Sequence, residues 1–194
     1  MSIADQNCVF LVRHGETAWS LTGQHTGRTD LALTPHGEEQ ARALLPRLGD
    51  QVFDQVLSSP LKRAHRTCEL AGFGAVATLD PDLLEWDYGQ YEGRTLADVH
   101  KERPDWELFR DGCPGGESVR QISDRADRAV AHLRALKGKT LLFSSGHILR
   151  VLAARWIGSE AALGRHLVLD PACICALGYD HGGLDRVIRL WNSR

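Results

Sequence analysis

Four short stretches carry side chains whose types and spacing could do chemistry. In LVRHGETAW, the apolar run VFLV (residues 9–12) passes straight into Arg13 and His14, which puts a cation and an imidazole together at the carboxyl end of a strand. SSPLKRAHRT places Arg63 in the first turn of a helix, where unpaired N–H groups already favour an anion. LLEWDYGQYEG offers Glu85 among bulky apolar neighbours, where desolvation favours a carboxyl that keeps its proton. TLLFSSGHILR is a buried strand that breaks at Gly146 into a helix with His147 near its start, and Ser145 stands at the strand's carboxyl end. An RHG tripeptide alone fits a structural histidine capping a strand better than a catalytic one. Asp87 and Glu92 are carboxyl alternatives to Glu85.

The elements that must position these residues follow from pattern. Residues 9–12 are short and wholly apolar, as a central parallel strand is, and TLLF (residues 140–143) reads as another buried strand. Thr34 and Pro35 form an N-cap and first helical residue, with Ala41, Leu44, Leu45 and Leu48 as the buried stripe behind them. FDQVLSSP reads as a second strand whose Ser59-Pro60 starts a helix by the same device. Val119, Ile122, Ala126, Ala129, Val130 and Leu133 mark a long helix, ILRVLAARWIG another, and ACICALGY and VIRLW two final strands. Alternating strands and helices predict an α/β fold, a three-layer αβα sandwich with a mostly parallel central sheet, as a single domain over residues 1–194. Residues 80–116 are the least regular, and DGCPGGES (residues 111–118) is expected to form a loop over the site.

Composition narrows the function classes. With 194 residues, 43% hydrophobic and 25% charged, the chain can bury a real core. A net charge of -2 without a Lys/Arg block gives no electrostatic reason to expect nucleic acid or an anionic membrane as partner, while a small anionic ligand is compatible. The segment MSIADQNCVF has neither a basic region nor a long apolar one, and no run of about 18 apolar residues occurs, so a cytoplasmic protein is expected. Five cysteines without a CxxC pair favour neither disulfides nor zinc. His25, His36, His65, His100, His132, His166 and His181 read as surface or packing residues.

RHGETAW, GQHTGRTDLALTPHGEEQA, SSPLKRAHRT, EWDYGQYEG and GHILR, in that order and across nearly the whole chain, resemble the histidine phosphatase superfamily, the phosphoglycerate mutase-like group. The resemblance implies that His14 is a nucleophile taking up a phosphoryl group, that Arg13, Arg63 and Gly146 hold its oxygens, and that Glu85 is the proton donor. It implies no metal and no other cofactor. Ser20, Thr26 and Gly27 lie in a segment similar to the family's substrate loop, with Ser20 where many members carry Asn, and His147 matches a variable position that faces substrate. The family's last motif usually begins His-Gly, its first histidine being a second catalytic imidazole, and here that place is Ser145. Residues 93–117 hold Arg94, Lys101, Arg103 and Arg110 but no Arg-Arg pair, unlike the longer dedicated mutases, so hydrolysis is favoured. The resemblance thus implies a phosphatase of a small phosphorylated metabolite such as a sugar phosphate, releasing inorganic phosphate, with a homodimer as an option. The alternatives are mutase-type phosphoryl transfer and a phosphoester- or phosphoprotein-binding module weakened by Ser145.

Overall fold

In a computed structural model, which describes residues 7–194, a six-stranded sheet runs in the order β3-β2-β4-β1-β5-β6. The amino-terminal residues 1–6, part of the segment read above for a targeting pattern, lie outside the described residues. The strands are β1 (Val9–Arg13), β2 (Gln55–Ser58), β3 (Ala77–Leu79), β4 (Thr140–Ser144), β5 (Ile174–Asp180) and β6 (Asp185–Ser193). The first four in spatial order are parallel, and β5 and β6 add on antiparallel. The helices are α1 (Ala18–Thr22), α2 (Pro35–Arg42), α3 (Leu44–Leu48), α4 (Lys62–Leu70), α5 (Leu96–Glu102), α6 (Leu108–Asp111), α7 (Val119–Ala135) and α8 (Gly146–Trp156). Among the described residues no helix is long and apolar enough to cross a membrane.

Strand alternation sorts the core into two layers. Val9 and Leu11 of β1 join Leu142 and the helices α7 and α8 on one face. Val12, with Leu141 and Phe143, meets Leu44, Leu48 and Cys68 on the other. The expected three-layer αβα architecture therefore stands. A third cluster, built around Trp86, Tyr88, Trp106, Phe109, Ile122, Ile148 and Val151, binds residues 86–126 to the start of α8 and walls the site.

Register brings the chemistry together. Arg13 lies opposite Ser144, so β1 and β4 leave the sheet side by side, and the His14 amide donates to the Ser144 carbonyl at 2.9 Å. Ser58 lies opposite Phe143 on the other flank, which delivers α4 to the same end.

Several expectations are corrected. Leu45 is 49% exposed, because Pro46 has no N–H to continue the helix from Arg42, which breaks into α2 and α3 and turns Leu45 outward. Ser59 does not cap α4. Leu61 is the extended residue before it, and the carboxylate of Asp30 accepts from the Lys62 amide at 2.7 Å, so an anion of the chain already occupies that helix end. Residues 111–118 do not cover the site. Glu117 instead accepts from the Trp86 indole at its carbonyl and from the Asp87 amide at its carboxylate (2.9 Å each), and Arg125 of α7 clasps that carboxylate at 2.7 Å. The loop is thus a buttress beneath residues 85–88. β3 went unread because three residues carry no periodic signal.

Candidate active site

His14 is the first residue beyond β1 and is almost fully buried. Its Nδ1–H donates to the Gly15 carbonyl at 2.7 Å, which leaves the lone pair on Nε2. Burial, then the charges of Arg63 and Arg13, push its pKa well below the ordinary 6.5, so the ring is neutral at pH 7. Gly15 is fixed by close approach: a Cβ there would stand 2.3 Å from the Gly37 carbonyl oxygen, so only glycine lets this turn lie on α2.

Arg13 donates from Nη1 to the Leu169 carbonyl, while its buried Nε has no hydrogen-bond partner. Gly146 lies directly against that guanidinium, since a Cβ added there would stand 3.4 Å from Nε. Glu85 is buried against the N-terminus of α8, where its Oε1 accepts from the amides of Trp86 and Ile148 (2.8 Å each) and its Oε2 from the amide of His147 (2.9 Å). Three backbone donors fix the carboxyl's orientation and leave acceptor capacity on Oε2. His147 in turn sits with its Nδ1 2.6 Å from the Tyr88 hydroxyl.

A cavity of about 100 Å³ gathers Arg13, His14, Ser20, Thr26, Glu85, Gly146 and His147, all of them expected from the sequence. Gln24, His25, Tyr88, Arg150 and Leu169 complete its lining. None of these five carries a local signal for the site: His25 reads from sequence as a surface or packing residue, and Tyr88 and Leu169 arrive through tertiary packing.

Three expected residues do not line the cavity. Arg63 is fully buried and holds residues 26–29 from beneath, donating to the carbonyls of Thr29 (3.0 Å), Thr26 and Gly27 (2.9 Å each), with only Nε unpartnered among the described residues. Gly27 is drawn away by Glu92, whose carboxylate accepts its amide at 2.8 Å. Ser145 is the residue before α8, fully buried, and its hydroxyl makes no cap bond and no other hydrogen bond among the described residues. Among the described residues no three His, Cys, Asp or Glu side chains converge as a metal-ligand set.

The sequence pattern of the histidine phosphatase superfamily (branch 1) matches residues 9–194. The chain belongs to that superfamily. It is 42% identical over 178 residues to an acid phosphatase of Mycobacterium tuberculosis, covering 90% of this chain and 87% of the relative. It is 37% identical over 185 residues to a sedoheptulose 1,7-bisphosphatase of Saccharomyces cerevisiae, covering 76% and 66%. The solved structure of an open reading frame product from Mycobacterium tuberculosis superposes with a TM-score of 0.89 at 39% identity, covering 96% of this chain and 97% of that one. Membership and these relatives support a phosphoric monoester hydrolase. In this histidine phosphatase, three of the four buried polar side-chain atoms without a partner among the described residues are Arg13 Nε, Arg63 Nε and Ser145 Oγ, on residues expected to act on the phosphoryl group.

Proposed function

We propose that the chain hydrolyses phosphomonoesters of small metabolites, sugar phosphates foremost, through a phosphohistidine formed on His14. The observation that carries this reading is the neutral, tautomer-fixed His14 sharing one cavity with Arg13 and Glu85. The relatives named acid phosphatase and sedoheptulose 1,7-bisphosphatase support it. The Nε2 lone pair of His14 attacks phosphorus as the ester P–O bond breaks. Arg13, with Arg63 behind it, stabilises the negative charge on the equatorial oxygens, and its unpartnered Nε is a donor suited to one of them. Glu85 gives its proton to the departing alkoxide. It then takes one from the water that splits the P–N bond, releasing inorganic phosphate and restoring His14. The buried thiols of Cys68, Cys113, Cys173 and Cys175 fit a reducing, cytoplasmic setting.

Ser145 favours a second reading, in which the same pocket binds phosphoesters but turns them over slowly, because a short hydroxyl stands where the superfamily usually has an imidazole. The test of the hydrolytic reading is the leaving group. Glu85→Gln is expected to slow sugar phosphates far more than p-nitrophenyl phosphate, whose leaving group needs little protonation. Equal slowing of both in steady-state assays would move the acid role elsewhere.

A further inference from the structure

Beyond the catalytic cavity lies a larger one of about 420 Å³, and His25, His147 and Arg150 line both. The two imidazoles flank Tyr88, with ring centroids 4.8 Å (His25) and 5.9 Å (His147) from it. Trp106 packs edge-on to His25 at 5.6 Å and Phe109 lies 5.5 Å from His147, so neither ring is free to turn. Each ring also has one nitrogen committed. His25 Nδ1 lies 2.8 Å from the Arg94 carbonyl, which can only accept, so His25 donates there and keeps a lone pair on Nε2.

The Tyr88 hydroxyl lies 2.6 Å from His147 Nδ1. Burial pushes its pKa well above the ordinary value, so the phenol keeps its proton. That proton has no other acceptor among the described residues, so Nδ1 accepts it and Nε2 of His147 carries the hydrogen. Burial holds both imidazoles below their ordinary pKa and therefore neutral. One ring presents an acceptor and the other a donor. Together they complement an alcohol hydroxyl, which donates once and accepts.

We propose that His25 and His147 act together to read a hydroxyl on the carbon next to the ester carbon, selecting phosphomonoesters of polyols over equivalent esters that lack it. The inference rests on the phosphatase reading only for the place of the phosphoryl group, at His14 and Arg13. The smaller cavity suits the phosphoryl group and first carbon, and the next carbon then reaches the two imidazoles that line both cavities. Leu96, Trp106 and Phe109 of the larger cavity meet the carbon face of the alcohol. An ester without the hydroxyl leaves both ring nitrogens desolvated and unpaired, and this makes the discrimination steep.

Non-hydrolysable phosphonates separate this contact from turnover. In calorimetric titrations of the full chain, 3,4-dihydroxybutylphosphonate is expected to bind at least about tenfold more tightly than butylphosphonate. Tyr88→Phe, which keeps the ring but frees the His147 tautomer, and His25→Ala should each cut that ratio to about threefold or less. Equal affinities in the wild-type chain overturn the proposal whatever the variants do, and so does a ratio unchanged in both variants. Turnover of glycerol 3-phosphate and propyl phosphate then tells the two readings apart. A diol preference in binding with hydrolysis of neither ester supports the hydroxyl pair and counts against the phosphatase. Hydrolysis of both esters with equal kcat/KM keeps the phosphatase and overturns the pair.

Discussion

In the proposed mechanism, Ser145 sets the ceiling on the chemistry at the residue scale. Its hydroxyl is buried without a partner among the described residues and lacks the reach and the charge of an imidazole, so in that mechanism the transferring phosphoryl group has one stabilising contact fewer. Single donors of this kind are worth about 10²- to 10³-fold in kcat. Ser145→His is therefore expected to raise kcat by at least about tenfold with a smaller change in KM, the signature of a contact made in the transition state. An unchanged kcat in steady-state kinetics would place that contact elsewhere, and His147→Ala in both backgrounds would show whether it lies at His147. Arg13, His14 and Gly146 were legible because each sits at a strand end or helix start that local pattern marks, whereas Glu85 lies outside helix and strand and only the family resemblance distinguishes it from Asp87 and Glu92. Tyr88 and His25 were not, because what makes them part of the site is a ring contact 63 positions apart in sequence, which no local spacing encodes. Arg63 was legible in position but not in geometry, since the loop carbonyls that claim its guanidinium come from residues 26–29.

At the scale of elements, α7 reaches the site through Arg125. Its guanidinium donates to the carbonyls of Asp82 (2.9 Å), Leu84 (2.5 Å) and Glu85 (3.2 Å), and to the Glu117 carboxylate at 2.7 Å. The pair is shielded, with side-chain exposures of 7% and 14%, so removing one partner leaves an uncompensated charge and several unpaired carbonyls. Arg125→Ala is expected to cost about 3–5 kcal/mol in urea unfolding, whereas a loss below about 1 kcal/mol would mean that residues 82–87 hold themselves in place. The strands β1 and β4 and the helices α7 and α8 were legible because short apolar runs bounded by polar turns and 3.6-residue stripes are local signals. The start of α4 was misread because its cap comes from Asp30, 32 residues earlier, rather than from the adjacent serine.

The whole molecule carries His14 buried and His25 and His147 half-buried, all three neutral, each with its pKa pushed below the ordinary 6.5 by desolvation first. The unfolded chain therefore binds up to three more protons than the native one as pH falls below about 6.5. Stability is complete above that value and is lost as pH drops through the unfolded pKa toward the folded ones. His181, raised by its contact with Asp185, acts in the opposite sense but at the surface. Tm is accordingly expected to fall between about pH 7 and pH 5, and a flat profile over that range would contradict neutral burial of these rings. The same neutrality leaves His14 able to attack at pH 7, and that attack is the centre of the account. Brief mixing of the intact chain with substrate, followed by quench and intact-mass and peptide analysis, is expected to show one phosphoryl group on His14, labile in acid and stable in base. A phosphoryl group on a serine or a carboxylate, or substrate turnover that persists in His14→Ala, would contradict it.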